Sequence, residues 1–156
     1  HAAQLAASQR SLQALRRAQR QGLPIYAECG GLLLLGQELT DHQGNTHAMA
    51  GLLPFRAERG QLSLGYRSAT ALRSGLVLQR GEQVSGHEFH RWQLNTSPDK
   101  ADQLWQLEGW GCPPRPEGWS TATLHASWLH LHWGGCGFIP QRLAAAARHT
   151  PPLLPC

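Results

Sequence analysis

The pattern of apolar positions changes character at Leu62. Ahead of it, helical spacing dominates. Ala2 to Gln21 is rich in Ala, Leu, Gln and Arg, with Leu5, Leu12 and Leu15 on one stripe, and Gly22 closes the run. That spacing predicts a helix over 2–20. Leu23 to Ala27 is a short apolar run that predicts a buried strand, and Leu32-Leu33-Leu34-Leu35 predicts a helix from about Gly30 to Leu39. Asp41 to Gly60 reads as a loop-rich connection with one apolar island at Met49 to Phe55. Beyond Leu62 alternation takes over: Leu62 to Tyr66, and Val84 to Leu94 through Phe89 and Trp92, predict strands. Leu76-Val77-Leu78 is a short apolar run closed by the turn signal Arg80-Gly81-Glu82. Trp105 to Trp110 reads as a short strand, Cys112 to Glu117 with its three prolines as a loop, and Thr121 to Trp133 as a longer strand region. Ile139 to His149 predicts a C-terminal helix with Pro140 in its first turn, and 150–156 reads as a loose proline-rich tail.

A helix that feeds a buried strand, which feeds another helix, implies an α/β sheet. The chain has 156 residues, enough for one domain. Charged residues make up only 15%, a low share that implies surface covered by something else. The net charge of +4 comes from scattered arginines without a run of five like charges, so no nucleic-acid arm is indicated. No apolar run is long enough to span a bilayer, no secretory leader is seen, and a cytoplasmic setting with reduced thiols is the expectation. Cys29, Cys112, Cys136 and Cys156 form no Cys-x-x-Cys pair, which argues against a zinc ribbon or redox pair. No Gly-x-x-x-x-Gly-Lys-Ser/Thr phosphate loop occurs.

The densest chemical signal lies at the junction Ile25-Tyr26-Ala27-Glu28-Cys29-Gly30-Gly31. A strand, a sharp turn carrying a nucleophile, then a helix is the layout of a nucleophile elbow, here with sulfur. Such a turn lifts the thiol out of the sheet, the two glycines allow close approach, and the helix N-terminus favours thiolate. Glu28 reads as a solvated or helix-N-terminal carboxylate. A thiol nucleophile needs a base, and nine histidines are available, with His87/His90 and His130/His132 standing out as clusters. Two residues apart in a strand, His130 and His132 are expected on one face; His87 and His90, three apart, on opposite faces. These four histidines also allow a zinc site, so a metal-dependent enzyme is an alternative. Glu88 reads either as the polar face of an edge strand or as a ligand-facing group. The six tryptophans read as core or interface anchors.

The elbow segment resembles the glutaminase domain of the cobyrinate a,c-diamide synthases, a branch of the class I glutamine amidotransferases. Four further segments are similar in the same order: Ala48 to Pro54, Leu64-Gly65-Tyr66-Arg67, the Gly86-His87-Glu88-Phe89-His90 signature, and Ala126 to Trp133 with its His-x-His. The resemblance implies a flavodoxin-like α/β fold with a mixed sheet. It implies Cys29 as nucleophile, His130 as base and the Gly30 N–H as oxyanion donor, with glutamine as substrate. His132 stands where triad enzymes carry an orienting acid; histidine cannot act as that anion, so a Cys-His dyad is expected, with His132 as the alternative base and Glu88 or His87 as further candidates at the site. The resemblance further implies an ATP- and Mg²⁺-dependent synthetase domain outside this chain, and a cobyrinate-type tetrapyrrole as acceptor, with hydrogenobyrinate or a nickel tetrapyrrole as alternatives. A non-catalytic glutaminase-like module is a third reading. Because the first helix begins at once and a glycine-rich loop with a second oxyanion donor is expected ahead of it, residues 1–149 read as a partial domain lacking its first strand or strands, weakly active alone.

Overall fold

The computed structural model describes residues 1–149; the tail expected at 150–156 lies outside the described residues. The helix expected over 2–20 is divided into α1 (Ala2–Ala7) and α2 (Gln9–Arg20). Ser8 breaks it with φ −77° and ψ 56°, and its hydroxyl donates to the Gln4 carbonyl at 3.0 Å. A serine hydroxyl competing for backbone carbonyls in this way is a local route out of the helix. Leu12 buries on the inner face of α2, and Arg16 donates to the carbonyls of Met49 and Ala50.

β1 (Ile25–Glu28) runs into α3 (Gly30–Leu35), which ends earlier than its sequence suggests. The helix stops at Gly36, whose backbone is extended (φ −66°, ψ −179°), and a Cβ there would press into the Phe55 ring. β2 (Glu38–Thr40), where the end of the expected helix would lie, and β3 (Thr46–Ala48), in the region read as loop, form a small hairpin tied by Asp41 accepting from the Gln43 and Asn45 amides. β4 (Arg56–Ala71) and β5 (Gln83–Leu94) form a long antiparallel ribbon. β6 (Gln103–Gly109) and β7 (Cys112–Ser120) follow, and then β8 (Leu124–Ser127), β9 (His130–Leu131), a 3₁₀ turn at Trp133–Gly135 and α4 (Phe138–Arg148).

β7 overturns the expected loop. Its prolines lie where β7 pairs only with β6, because β8 joins it only at Trp119 and Ser120. A proline lacks the N–H a second neighbour would need, and a one-sided stretch tolerates that. Leu76 to Leu78 is no strand; it plugs the core beneath α4.

Among the described residues, nine strands form one mixed sheet in the order β1-β8-β7-β6-β4-β2-β3, with β5 paired to β4 and β9 to β5. β1–β8 and β2–β4 are parallel and the remaining pairs antiparallel. This is the mixed α/β sheet expected of the flavodoxin-like architecture. Two apolar cores fill it. One gathers α3, Phe55, Trp119 and Trp128; the other gathers Val77, Leu104, Trp105, Leu129 and Ile139. The tryptophans divide accordingly: Trp105, Trp119 and Trp128 are buried, whereas Trp110 is exposed.

The strand region expected over Thr121–Trp133 is two strands with a jog at Trp128-Leu129. The jog carries the chain from β1 to β5. As a result, β9 returns to the end of β1, where the Leu131 N–H donates to Glu28 Oε1 at 3.1 Å.

Candidate active site

Cys29 has φ 47° and ψ −103°, and is the only non-glycine residue with positive φ among the described residues. Holding such a conformation costs about 1–3 kcal/mol and persists only where its surroundings impose it. They do so from both sides: the Cys29 N–H donates to the Ser127 carbonyl at 2.8 Å, and the Leu33 N–H closes the first helical turn on the Cys29 carbonyl at 3.1 Å. The elbow is therefore present as the sequence implied. The half-buried thiol approaches the Phe89 carbonyl on β5, with Sγ 3.8 Å from the oxygen. A Cβ on Gly30 would meet nothing within 4 Å, so the space over the turn is open to a ligand; one on Gly31 would press on Ala27 at 3.3 Å.

The electrostatics differ from the simple expectation of a helix-stabilised thiolate. Burial pushes the Cys29 thiol up, the Gly30 N–H opposes that, and the Glu28 charge adds to the rise. The net shift is upward. α3 has only six residues, and its N-terminus does not outweigh desolvation. The resting group is a neutral thiol that needs a base.

β9 pairs with β5 so that His130 lies opposite His87 and Leu131 opposite Gly86. Glu28 is not the solvated carboxylate its position suggests. Its Oε1 accepts from the Tyr26 hydroxyl at 2.6 Å as well as from Leu131, and its Oε2 lies 3.6 Å from His130 Nδ1. His130 and His132 do not act as a pair on one strand face, because β9 ends at Leu131. The His132 ring lies over Gly134 and lines a hollow of about 470 Å³ with Ser68, Thr70, Glu108 and Cys136.

The Gly-His-Glu-Phe-His signature divides between two faces. His87 and Phe89 lie on the outer face, where His87 meets the Tyr66 ring at 5.4 Å. Glu88 is neither an edge polar group nor ligand-facing; it is fully buried and bound by Arg67 at 2.8 Å, Arg115 at 2.6 Å and His90 at 2.9 Å. Burial alone would raise its carboxyl, but the His90 bond and the two guanidinium groups hold it well below the usual carboxylate range. His90 also stacks on Trp128 with ring centroids 3.9 Å apart. Of the histidines at 87 and 90, only His87 borders His130.

Sequence reasoning passed over Glu117. This buried carboxyl accepts from Trp105 Nε1, the Ser127 hydroxyl and the Trp128 N–H. It braces the segment that supplies the Ser127 carbonyl to Cys29 and leads into His130. Burial pushes it up. A single Glu among prolines in an apparent loop carries no periodic signal that would mark it. His125, another unflagged group, is buried between Tyr26 and Trp105, and burial lowers it to about 3.

Among the described residues, no group of three or more His, Cys, Asp or Glu side chains gathers as a metal would require. Cys29, Cys112 and Cys136 are free thiols. No helix among the described residues is long and apolar enough to cross a membrane.

Residues 1–138 match the model of the CobB/CobQ-like glutamine amidotransferase domain. The chain belongs to this family. It is 45% identical over 142 residues to a cobyrinate a,c-diamide synthase of Gloeobacter violaceus, covering 90% of this chain and 30% of that protein. It is 39% identical over 136 residues to a hydrogenobyrinate a,c-diamide synthase of Thermobifida fusca, covering 85% of this chain and 28% of the relative. A cobyrinate a,c-diamide synthase of Salmonella typhimurium is 37% identical over 153 residues, covering 96% and 33%. The chain thus spans about a third of the length of the curated relatives it matches.

Proposed function

We propose that the chain is the glutaminase part of an ATP-dependent a,c-diamide synthase of cobalamin biosynthesis. The observation that carries this is Cys29: a strained elbow cysteine with the Gly30 N–H against its sulfur, in a family of glutamine amidotransferases. The Cys29 sulfur attacks the side-chain amide carbon of glutamine as His130 takes the thiol proton. The Gly30 N–H donates to the oxyanion of the tetrahedral intermediate. His130 then protonates the departing nitrogen, and ammonia leaves. Water, deprotonated by His130, hydrolyses the thioester and releases glutamate.

Ammonia then amidates the a- and c-carboxylates of a corrinoid. The relatives' names favour cobyrinate, with hydrogenobyrinate second. By resemblance, ATP and Mg²⁺ act in the synthetase portion. The seat for that portion is the outer face of β4–β5, where Tyr66 is 82% and Phe89 57% exposed, beside the thiol. Apolar surface of this kind marks a docking face. By resemblance a second oxyanion donor comes from an upstream glycine-rich loop. The chain alone is therefore expected to turn glutamine over slowly, since one donor is worth about 10²–10³-fold.

The test is Cys29→Ala in the intact synthase. Glutamine-dependent amidation should vanish, while amidation driven by added ammonia persists. Retained glutamine-dependent turnover rejects the proposal.

A further inference from the structure

We infer that Glu28, the residue immediately before the nucleophile, is the orienting carboxylate of His130. The inference rests on the reading of Cys29 and His130 as nucleophile and base. At the position where a triad acid would follow the base, this chain has His132, and its ring lies over Gly134 at a separate hollow. The structure supplies a carboxylate by another route. Glu28 ends β1, and β9 returns beside it, bringing Oε2 to 3.6 Å from His130 Nδ1.

The carboxylate is held in place by its other oxygen. Oε1 accepts from the Tyr26 hydroxyl at 2.6 Å and the Leu131 N–H at 3.1 Å. Tyr26 is itself fixed, stacked on His125 and edge-on to Trp133. Burial, and then the bond to Glu28, push the Tyr26 hydroxyl far up, so it remains a donor throughout the working pH range. The Glu28 side chain is only 19% exposed, against 45% for His130. An anchored acid thus faces a more exposed imidazole.

The chemistry follows from which nitrogen the acid faces. A carboxylate at Nδ1 favours the tautomer with hydrogen on Nδ1, leaving Nε2 with the lone pair a base requires. It also stabilises the imidazolium formed when His130 takes the Cys29 proton. The 3.6 Å separation is slightly beyond hydrogen-bond length, as is common for catalytic pairs without substrate. The same carboxylate opposes a free thiolate at Cys29.

Glu28→Gln in the intact synthase tests this. The amide oxygen can still accept from Tyr26 and Leu131, so the strand contact survives and only the charge is lost. Glutamine-dependent kcat should fall by roughly 10²–10⁴-fold, with KM for glutamine and ammonia-driven amidation unchanged. Glu28→Asp should restore part of the rate. Full glutaminase activity in Glu28→Gln, or equal loss of ammonia-driven amidation, overturns the assignment. If His130→Ala keeps full glutamine turnover, the reading of the base fails; if it is inactive and Glu28→Gln is not, only the role of Glu28 fails.

Discussion

A Cβ placed on Gly86 would stand 2.5 Å from the carbonyl oxygen of His130. Only a glycine lets β9 lie this close to β5, and β9 carries the proposed base. Gly86→Ala must push β9 outward, because the obstructing atom is backbone. A shift of about 1 Å at a catalytic group can cost on the order of 10²-fold in rate. Glutamine-dependent kcat should fall by about that factor while ammonia-driven amidation stays intact. Unchanged kcat would show that β9 yields without moving the imidazole.

His130 and His132 separate by their surroundings, since only His130 faces Glu28. His130→Ala should lower glutaminase kcat by roughly 10²–10⁴-fold. His132→Ala should change it by far less, because its ring lies over the 3₁₀ turn. Steady-state glutaminase assays of both variants decide the matter, and a larger loss in His132→Ala would exchange the two roles.

Glu88 is structural. Its removal leaves Arg67, 6% exposed, as an uncompensated buried cation. Breaking one side of such a pair costs about 3–5 kcal/mol. Glu88→Ala should therefore lower the urea midpoint strongly, and more than Arg115→Ala, whose side chain already reaches solvent. Equal midpoints for wild type and Glu88→Ala would refute this account.

His125 sets a pH dependence of stability. Burial holds it at about 3 in the folded chain, whereas in the unfolded chain it protonates near the ordinary histidine value of about 6.5. Between those values the unfolded state binds the extra proton, so stability declines as pH falls from about 6.5, by up to about 1.4 kcal/mol per pH unit. Glu117, raised by burial, contributes with the opposite sign at pH above the ordinary carboxylate value. His125→Phe keeps the ring stacked on Tyr26 and removes the titration. Urea melts between about pH 7 and 4.5 should show a flatter decline for the variant. Parallel curves would assign the decline to other groups.

The elbow was legible in the sequence because its information is local. A strand, a cysteine with two glycines, and a helix are read within ten residues, and the structure reproduces their strained turn at Cys29. The helical and alternating patterns likewise predicted α2, α4, β5 and the middle of β4, since each buries one face with a regular period. What remained hidden depends on partners far along the chain. Glu28 reads as a surface acid until Leu131, 103 residues away, donates to it. Glu88 reads as a polar strand residue until Arg67 and Arg115 enclose it. The proline-rich β7 reads as a loop because one-sided pairing, which makes its missing N–H groups harmless, is a property of the sheet. A period-two pattern says which residues share a face, but not which distant strand meets that face or where a short strand such as β9 stops. Those choices come from packing two cores around one sheet, and they determined that Glu28, rather than His132, faces His130.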